Sequence, residues 1–297
     1  MAPRLLTTIA ETRALLDAAR AEGASVGFVP TMGYLHDGHG SLMRTAAGDD
    51  LVVASIFVNP LQFAADEDLG SYPRDLERDR ELAGASGVDL LFVPAVEEMY
   101  PFGPVLTTVS VAELSTAWEG ASRPTHFAGV ATVVSKLFNI IGRCRAYFGE
   151  KDYQQLAVIR RMVADLSSPI EVVGCPIVRE PDGLAMSSRN VYLSPEDRAA
   201  AVVLRRALDA GQAAVADGER DPAGVSAAMT AVVADEPRAS LDYAVAVDPD
   251  TLEVPDRLGP GARLLIAAQL GRTRLIDNAA AAGVDGPGWV RGRPAAS

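Results

Sequence analysis

The chain has 297 residues, of which 48% are hydrophobic and 22% charged. That length supports one large domain or two smaller ones, and the composition excludes collagen-like, coiled-coil and disordered chains. Lys and Arg number 27 against 39 Asp and Glu, a net charge of −12 at pH 7, so the surface as a whole repels nucleic acid and anionic membranes, and neither is expected as a partner.

Short apolar, β-branched runs at residues 26–29, 51–58, 89–93, 146–148 and 170–178 predict buried strands. Helical patterns at 8–22, 40–47, 76–85, 130–141 and 154–166 lie between them. Strand and helix in alternation predict a Rossmann-like, doubly wound parallel sheet. Ligands of such sheets sit beyond the carboxyl ends of the strands.

The pattern changes after about residue 190. Ser194, Pro195 and Asp197 read as N-cap, N1 and N3 of a helix. One Ala-rich helix is expected from there to residue 216, a second over 221–234, then strands at 241–247, 262–270 and 272–276. This predicts a smaller α+β C-terminal domain. The expected division is 1–177 and 178–297, with 286–297 a frayed tail. Cys144 and Cys175 make no disulfide framework and read as buried thiols of a cytoplasmic protein. No secretory signal and no bilayer-spanning run is expected.

Four strand-to-helix or loop segments carry groups suited to chemistry. Met32-Gly33-Tyr34-Leu35-His36-Asp37-Gly38-His39 follows the first long strand and runs into a helix start. Its glycines permit close backbone approach, its N–H groups suit a phosphate, and its histidines donate without permanent charge. A zinc pair is the alternative, but no further Cys or His cluster supplies ligands. Asn59 and Gln62 follow the next strand. Their amides suit a hydroxy acid, although Asn-Pro is equally a turn former. Gly149-Glu150-Lys151-Asp152 joins strand to helix, with Gln155 one turn beyond Asp152. Val178 opens a polar loop that ends in Met186-Ser187-Ser188-Arg189, a set of phosphate donors or a plain linker. Arg123 and His126 precede the helix over 130–141, and structural use is favoured for His126. No Walker loop or nucleophile elbow is present.

In this order the segments resemble known sites. Pro30-Thr31-Met32-Gly33 with His36 and His39 resembles the HIGH-type site of the adenylate-forming nucleotidyltransferases. Met186-Ser187-Ser188-Arg189 resembles its KMSKS-type counterpart. With residues 57–63 and 149–155 added, and Leu275-Ile276-Asp277-Asn278 near the end, the chain resembles the pantothenate synthetase (pantoate–β-alanine ligase) family over residues 4–280.

That resemblance implies a nucleotide- and pantoate-binding domain, a C-terminal lid, a homodimer and ATP-dependent ligation of (R)-pantoate to β-alanine through pantoyl adenylate. It places nucleotide contacts on Met32, Gly33, Tyr34, Leu35, His36, Asp37, Gly38, His39, Gly149, Glu150, Lys151, Asp152, Val178, Met186, Ser187, Ser188 and Arg189. His39 matches the proton donor, and His36 would stabilise phosphate. Lys151, Ser187, Ser188 and Arg189 would neutralise charge. Gln62 and Gln155 match substrate contacts, with Asn59 beside them. Mg²⁺ would be held mainly by ATP oxygens and water. Asp79 is named as an acidic helper. Gly40, Ala64, Asp75 and Thr125 depart from the family's usual residues. A related nucleotidyltransferase acting on another small acceptor is the alternative.

Overall fold

The structure, a computed structural model, describes residues 2–63, 70 and 72–282. Ala64 and the tail over 286–297 lie outside the described residues.

Six parallel strands form the larger sheet: β1 (Arg4–Leu6), β2 (Val26–Thr31), β3 (Leu51–Ile56), β4 (Leu90–Phe92), β5 (Cys144–Gly149) and β6 (Ile170–Cys175). Their spatial order is β1-β4-β3-β2-β5-β6. β2 pairs on one side with β3, from Val26 opposite Leu51 to Thr31 opposite Ile56, and on the other with β5. Both faces of the sheet are covered. Along β2, Phe28 packs into one apolar core and Val29 into the other. The first core includes helices α1 (Ile9–Ala21), α6 (His126–Ile141) and α7 (Tyr153–Asp165); the second is closed by α2 (Asp37–Ala46) and α3 (Leu76–Ala85). Two single-turn helices, α4 (Val96–Met99) and α5 (Glu119–Ser122), lie in the long connection from β4 to α6.

Strand edges differ from the sequence expectation where local chemistry intervenes. β6 ends at Cys175 because Pro176 follows and has no N–H for the ladder. β1 is three residues long, too short for a hydrophobic period to show.

Beyond residue 178 come α8 (Pro195–Ala200), α9 (Val203–Ala216), α10 (Pro222–Ala234) and an antiparallel sheet of β7 (Ala239–Val247), β8 (Arg263–Leu270) and β9 (Thr273–Ala280), in that order. The single helix expected up to residue 216 is two. Its chain breaks at Ala201 and Val202, where the Leu204 N–H bonds the Ala201 carbonyl in a tightened turn. β-Branched Val202 and Val203 stand at the junction and weaken helix propensity there. The last strand reaches Ala280, farther than the periodicity shows. β8 buries Leu264 and Ile266 against α9 and α10, while Leu265 joins the core of the large sheet. The small sheet therefore lies between its own helices and the body of the larger one.

Gly129 fixes how closely α6 approaches the 3₁₀ turn at Pro60–Gln62. A Cβ there would run into the Leu61 carbonyl and lie 2.9 Å from the Gln62 amide nitrogen. Those partners are backbone and cannot rotate away. Gly129→Ala should cost about 1–3 kcal/mol by overpacking, read as a lower urea midpoint, together with weaker binding of whatever Gln62 contacts. An unchanged midpoint and affinity would contradict the contact.

Candidate active site

β2 leads away to β3 in one direction, while its other neighbour is β5. The crevice at the carboxyl ends of β2 and β5 is thus the switch point of the sheet, where doubly wound folds bind ligands. The first and third sequence segments open onto it.

The turn after β2 is held under strain. Gly33 and Tyr34 have φ of +84° and +50°, and for a non-glycine this region costs roughly 1–2 kcal/mol. Asp79 on α3 holds the turn. It is 1% exposed, and its carboxylate oxygens accept from the Tyr34 N–H at 2.8 Å and the Leu35 N–H at 2.6 Å. Burial pushes its pKa up, against the two amides. Acceptance at both oxygens favours the ionised form. Asp79 thus positions backbone. Among the described residues no group of three or more His, Cys, Asp or Glu could hold a metal ion.

The two histidines form a reciprocal cap at the start of α2. His36 Nδ1 accepts from the Gly38 N–H at 3.1 Å, and His39 Nδ1 accepts from the His36 N–H at 3.3 Å. A Cβ on Gly38 would stand 2.7 Å from the His36 ring, so glycine lets that ring fold back. Because both Nδ1 atoms accept, both rings carry the proton on Nε2. Burial, then Lys151, lowers the pKa of His36 to about 4. Burial, then His36, lowers that of His39 to about 3. The pair is neutral at pH 7 and offers two Nε2–H donors beside a helix N-terminus.

Asn59 and Gln62 divide their labour. Asn59 is fully buried. Its Oδ1 accepts from Leu61 N–H and Tyr100 OH, and its Nδ2 donates to Gln62 Oε1 and the Gly129 carbonyl. It has nothing left for a ligand, contrary to its expected place among the substrate contacts. Gln62, oriented by it, keeps its Nε2 for the cleft. The backbone carbonyl of Gln62 accepts from His126 Nδ1 at 3.2 Å. A carbonyl cannot donate, so His126 is the Nδ1–H tautomer and its Nε2 is an acceptor. Burial, then Arg123, lowers its pKa to about 4. His126 therefore lines the cleft, where the sequence favours a structural use for it.

The segment after β5 presents Lys151 and Asp152, whose charged atoms lie 3.8 Å apart. Burial alone would raise the pKa of Asp152, but Lys151 and Arg189 outweigh it and hold the carboxyl below its ordinary value. Glu150 points away, and its carboxylate accepts from Arg263 at 3.2 Å. The fourth segment is a hairpin. Arg179 bridges Ala185, and the Met186 N–H bonds the Val178 carbonyl. Ser187 then caps the 3₁₀ turn Ser188–Tyr192, its hydroxyl accepting from the Arg189 N–H.

Met32, His36, Gly38, His39, Gln62 and Gly149 line one cleft of about 660 Å³ with Lys151, Asp152, Gln155, Val178, Met186, Ser187, Ser188 and Arg189. It continues into a second space of about 660 Å³ that shares Lys151, Gln155 and Arg189 and reaches Arg272 and Arg274. Other expected site residues lie off it. Gly33 packs against Ile56 and Asp79, Leu35 is buried in the core, and the Tyr34 ring lies under Arg78. Asp37 is exposed on α2, and Asn59 and Glu150 are engaged as described. Tyr72 and Arg272 line the cleft unforeseen. Each sits outside the four segments that the sequence singles out.

The family model for pantoate-beta-alanine ligase matches residues 4–280. The chain belongs to the pantoate–β-alanine ligase family. It is 55% identical to the pantothenate synthetase of Sinorhizobium medicae over 277 residues, 93% of this chain and 95% of the relative. It is also 55% identical to that of Moorella thermoacetica, over 92% of this chain and 97% of the relative. The crystal structure of pantothenate synthetase from Thermus thermophilus matches with a TM-score of 0.88 and 53% identity, over 94% of this chain and 99% of the other. A pantoate-beta-alanine ligase from Francisella tularensis, described as complexed with beta-gamma ATP and beta-alanine, matches with a TM-score of 0.75 and 32% identity over 94% of this chain and 98% of the other.

Local packing accommodates Gly40, Asp75 and Thr125, the described positions at which the resemblance implies a different residue. Gly40 sits where a Cβ would be 3.0 Å from Ser86 Oγ at the end of α3. Asp75 caps α3, accepting from the Arg78 N–H as a threonine would. Thr125 at the start of α6 has φ of −96°, which does not need glycine.

The ligase's three histidines make its stability acid-sensitive. Each binds a proton near pH 6.5 when unfolded but only near pH 3–4 when folded. The unfolded chain therefore holds more protons in between, and stability present above pH 6.5 is lost as pH falls toward 4. Melting temperature should drop steadily from pH 6.5 to 5, with proton uptake on unfolding approaching three. A flat profile there would contradict the neutral assignments.

Proposed function

We propose that this chain joins pantoate to β-alanine with ATP cleaved to AMP and pyrophosphate, by way of pantoyl adenylate. The observation that carries the reading is the lining of the cleft. His36 and His39, whose Nε2–H groups can donate, line it with Lys151, Ser187, Ser188 and Arg189. The uncharged amides of Gln62 and Gln155 and the imidazole of His126 line the same cleft. The first set suits a polyphosphate and the second a small hydroxy acid. The family membership and the ligands named for the Francisella relative support the same assignment.

In the first step a pantoate carboxylate oxygen attacks the α-phosphorus. The new O–P bond forms as the bond to the β-phosphate oxygen breaks, and pyrophosphate leaves. Such a transfer needs positioning and charge neutralisation more than covalent help. Lys151 and Arg189 offset charge, while His36 and His39 donate hydrogen bonds to the phosphate oxygens. A neutral imidazole suits that role, because it strengthens its bond as charge develops without first trapping the ground state. In the second step the uncharged amine of β-alanine attacks the acyl carbon, the C–O bond to the adenylate breaks, AMP departs with one former carboxylate oxygen, and the proton shed by the nitrogen passes to the departing phosphate or to water. The acceptor Nε2 of His126 is suited to hold the amine or a pantoate hydroxyl.

The residues fit Mg²⁺ carried in by ATP. Asp79 is committed to backbone amides, and Asp152 is the carboxylate that lines the cleft beside Lys151. Triphosphate oxygens and water would hold the ion, with Asp152 reaching it through water, and the ion would screen charge on the leaving pyrophosphate. Residues 1–177 serve nucleotide and pantoate, and the chain from 178 acts as the lid. A separate apolar core beginning at Leu184 supports that division. The protein works as a homodimer in the cytoplasm. Nearly full exposure of Phe102 and Leu106 on one loop supports a subunit contact, and two buried unpaired thiols support a reducing compartment.

AMP release from ATP, Mg²⁺ and pantoate should be sustained only with β-alanine present and match pantothenate formed. His39→Ala should lower that rate by about 10²–10³ with little change in melting temperature. Turnover near wild type in the variant would remove His39 from the reaction. Sustained release with a different amine or acid would reassign the acceptor.

A further inference from the structure

Two adjacent residues of β9 each grip one of the loops that carry the cleft cations Lys151 and Arg189. Asn278 is 1% exposed. Its Nδ2 donates to two successive carbonyls, Glu150 at 2.9 Å and Lys151 at 2.8 Å, and its Oδ1 accepts from Arg263 Nε at 2.8 Å. That assignment of the amide is forced, because carbonyls only accept and guanidinium only donates. Arg263 also pairs with Glu150 and lies over the Tyr153 ring, 4.5 Å from guanidinium carbon to ring centroid. The short turn that aims Lys151 is thus fastened to the small sheet.

Asp277 is also buried. Its carboxylate accepts from Arg179 Nη1 at 2.6 Å and Nη2 at 3.1 Å, a two-pronged pair. Arg179 donates back to the Gly183 carbonyl and bridges Ala185, so it clasps both arms of the hairpin ending in Ser187, Ser188 and Arg189. The Asn278 N–H donates to Asp277 Oδ1 at 2.8 Å, which joins the two fastenings. Successive strand residues point to opposite faces, so one pair reaches two loops.

We infer that Asp277 and Asn278 are positioning residues that yoke the Lys151 turn to the Ser187–Arg189 hairpin, fixing the spacing of the two cations across the phosphates. The inference rests on the adenylating role given above to Lys151 and Arg189. In it β9 sets a single spacing between the two loops, holding the Ser187–Arg189 hairpin at a fixed distance from the turn that carries Lys151.

Double-mutant cycles on the single-turnover rate of adenylate formation, with the full-length enzyme in excess over ATP and saturating pantoate, test this. Asn278→Ala should slow the step by up to about 100-fold, the scale of an ångström-level misplacement. In a Lys151→Ala background the same change should cost less than about threefold. Asp277→Asn should behave likewise against Arg189→Ala. Asn278→Asp, which keeps an acceptor for Arg263 but cannot donate to the two carbonyls, should show the same non-additivity if Asn278→Ala folds poorly. Costs that multiply to within a factor of about two, as for independent sites, would overturn the yoke and leave Asp277 and Asn278 with structural roles. An unchanged rate in Lys151→Ala alone would instead overturn the functional reading beneath it.

Discussion

The pairing of β2 with β3 on one edge and β5 on the other is the constraint on which the site depends. Those ladders force the chain to leave β2 and β5 at the same end of the sheet, on either side of a gap. The start of α2 and the turn after Gly149 therefore line the same cleft. The rest of the molecule refines that gap. Asp79 holds the strained turn beyond β2, Asn59 orients the Gln62 amide, and Asn278 ties down the turn beyond β5. Each is a buried polar group with its bonds satisfied, and each leaves a neighbour free to meet the ligand.

The chemical character of the cleft follows from hydrogen-bond bookkeeping. His36 and His39 use Nδ1 to accept from the backbone and so must present Nε2–H. His126 uses Nδ1 to donate and so must present a lone pair. Burial from water keeps all three uncharged. Positive charge in the cleft comes from Lys151 and Arg189, joined by Arg123 and Arg272, with Asp152 beside Lys151. The cleft thus combines fixed cations with neutral donors, and Gln62, Gln155 and His126 add no formal charge to its lining.

Much of the architecture was legible in the sequence. Alternation of β-branched runs and helical periods implied the parallel sheet, and Ser194 with Pro195 marked the helix after the hairpin. Motif residues such as Lys151, Gln155 and Arg189 line one cleft, as the resemblance implied. What was hidden depended on tertiary contact. Nothing local separates Asn59, saturated by Tyr100 and Gly129, from Gln62, which stays available. Asp79 is named by the resemblance as an acidic helper, and only the fold shows it spent on the Tyr34 and Leu35 amides. Glu150 sits inside the motif, yet its carboxylate serves Arg263, more than a hundred positions away. The break between α8 and α9 escaped a pattern that is Ala-rich on both sides.

The central claim is that the acid's own carboxylate attacks the α-phosphorus. Pantoate carrying ¹⁸O in its carboxylate tests it most directly, with mass analysis of the products after turnover with ATP and β-alanine. The account predicts one labelled oxygen in each AMP and none in pyrophosphate. Unlabelled AMP, with the label appearing in orthophosphate or staying wholly in the acid, would contradict it.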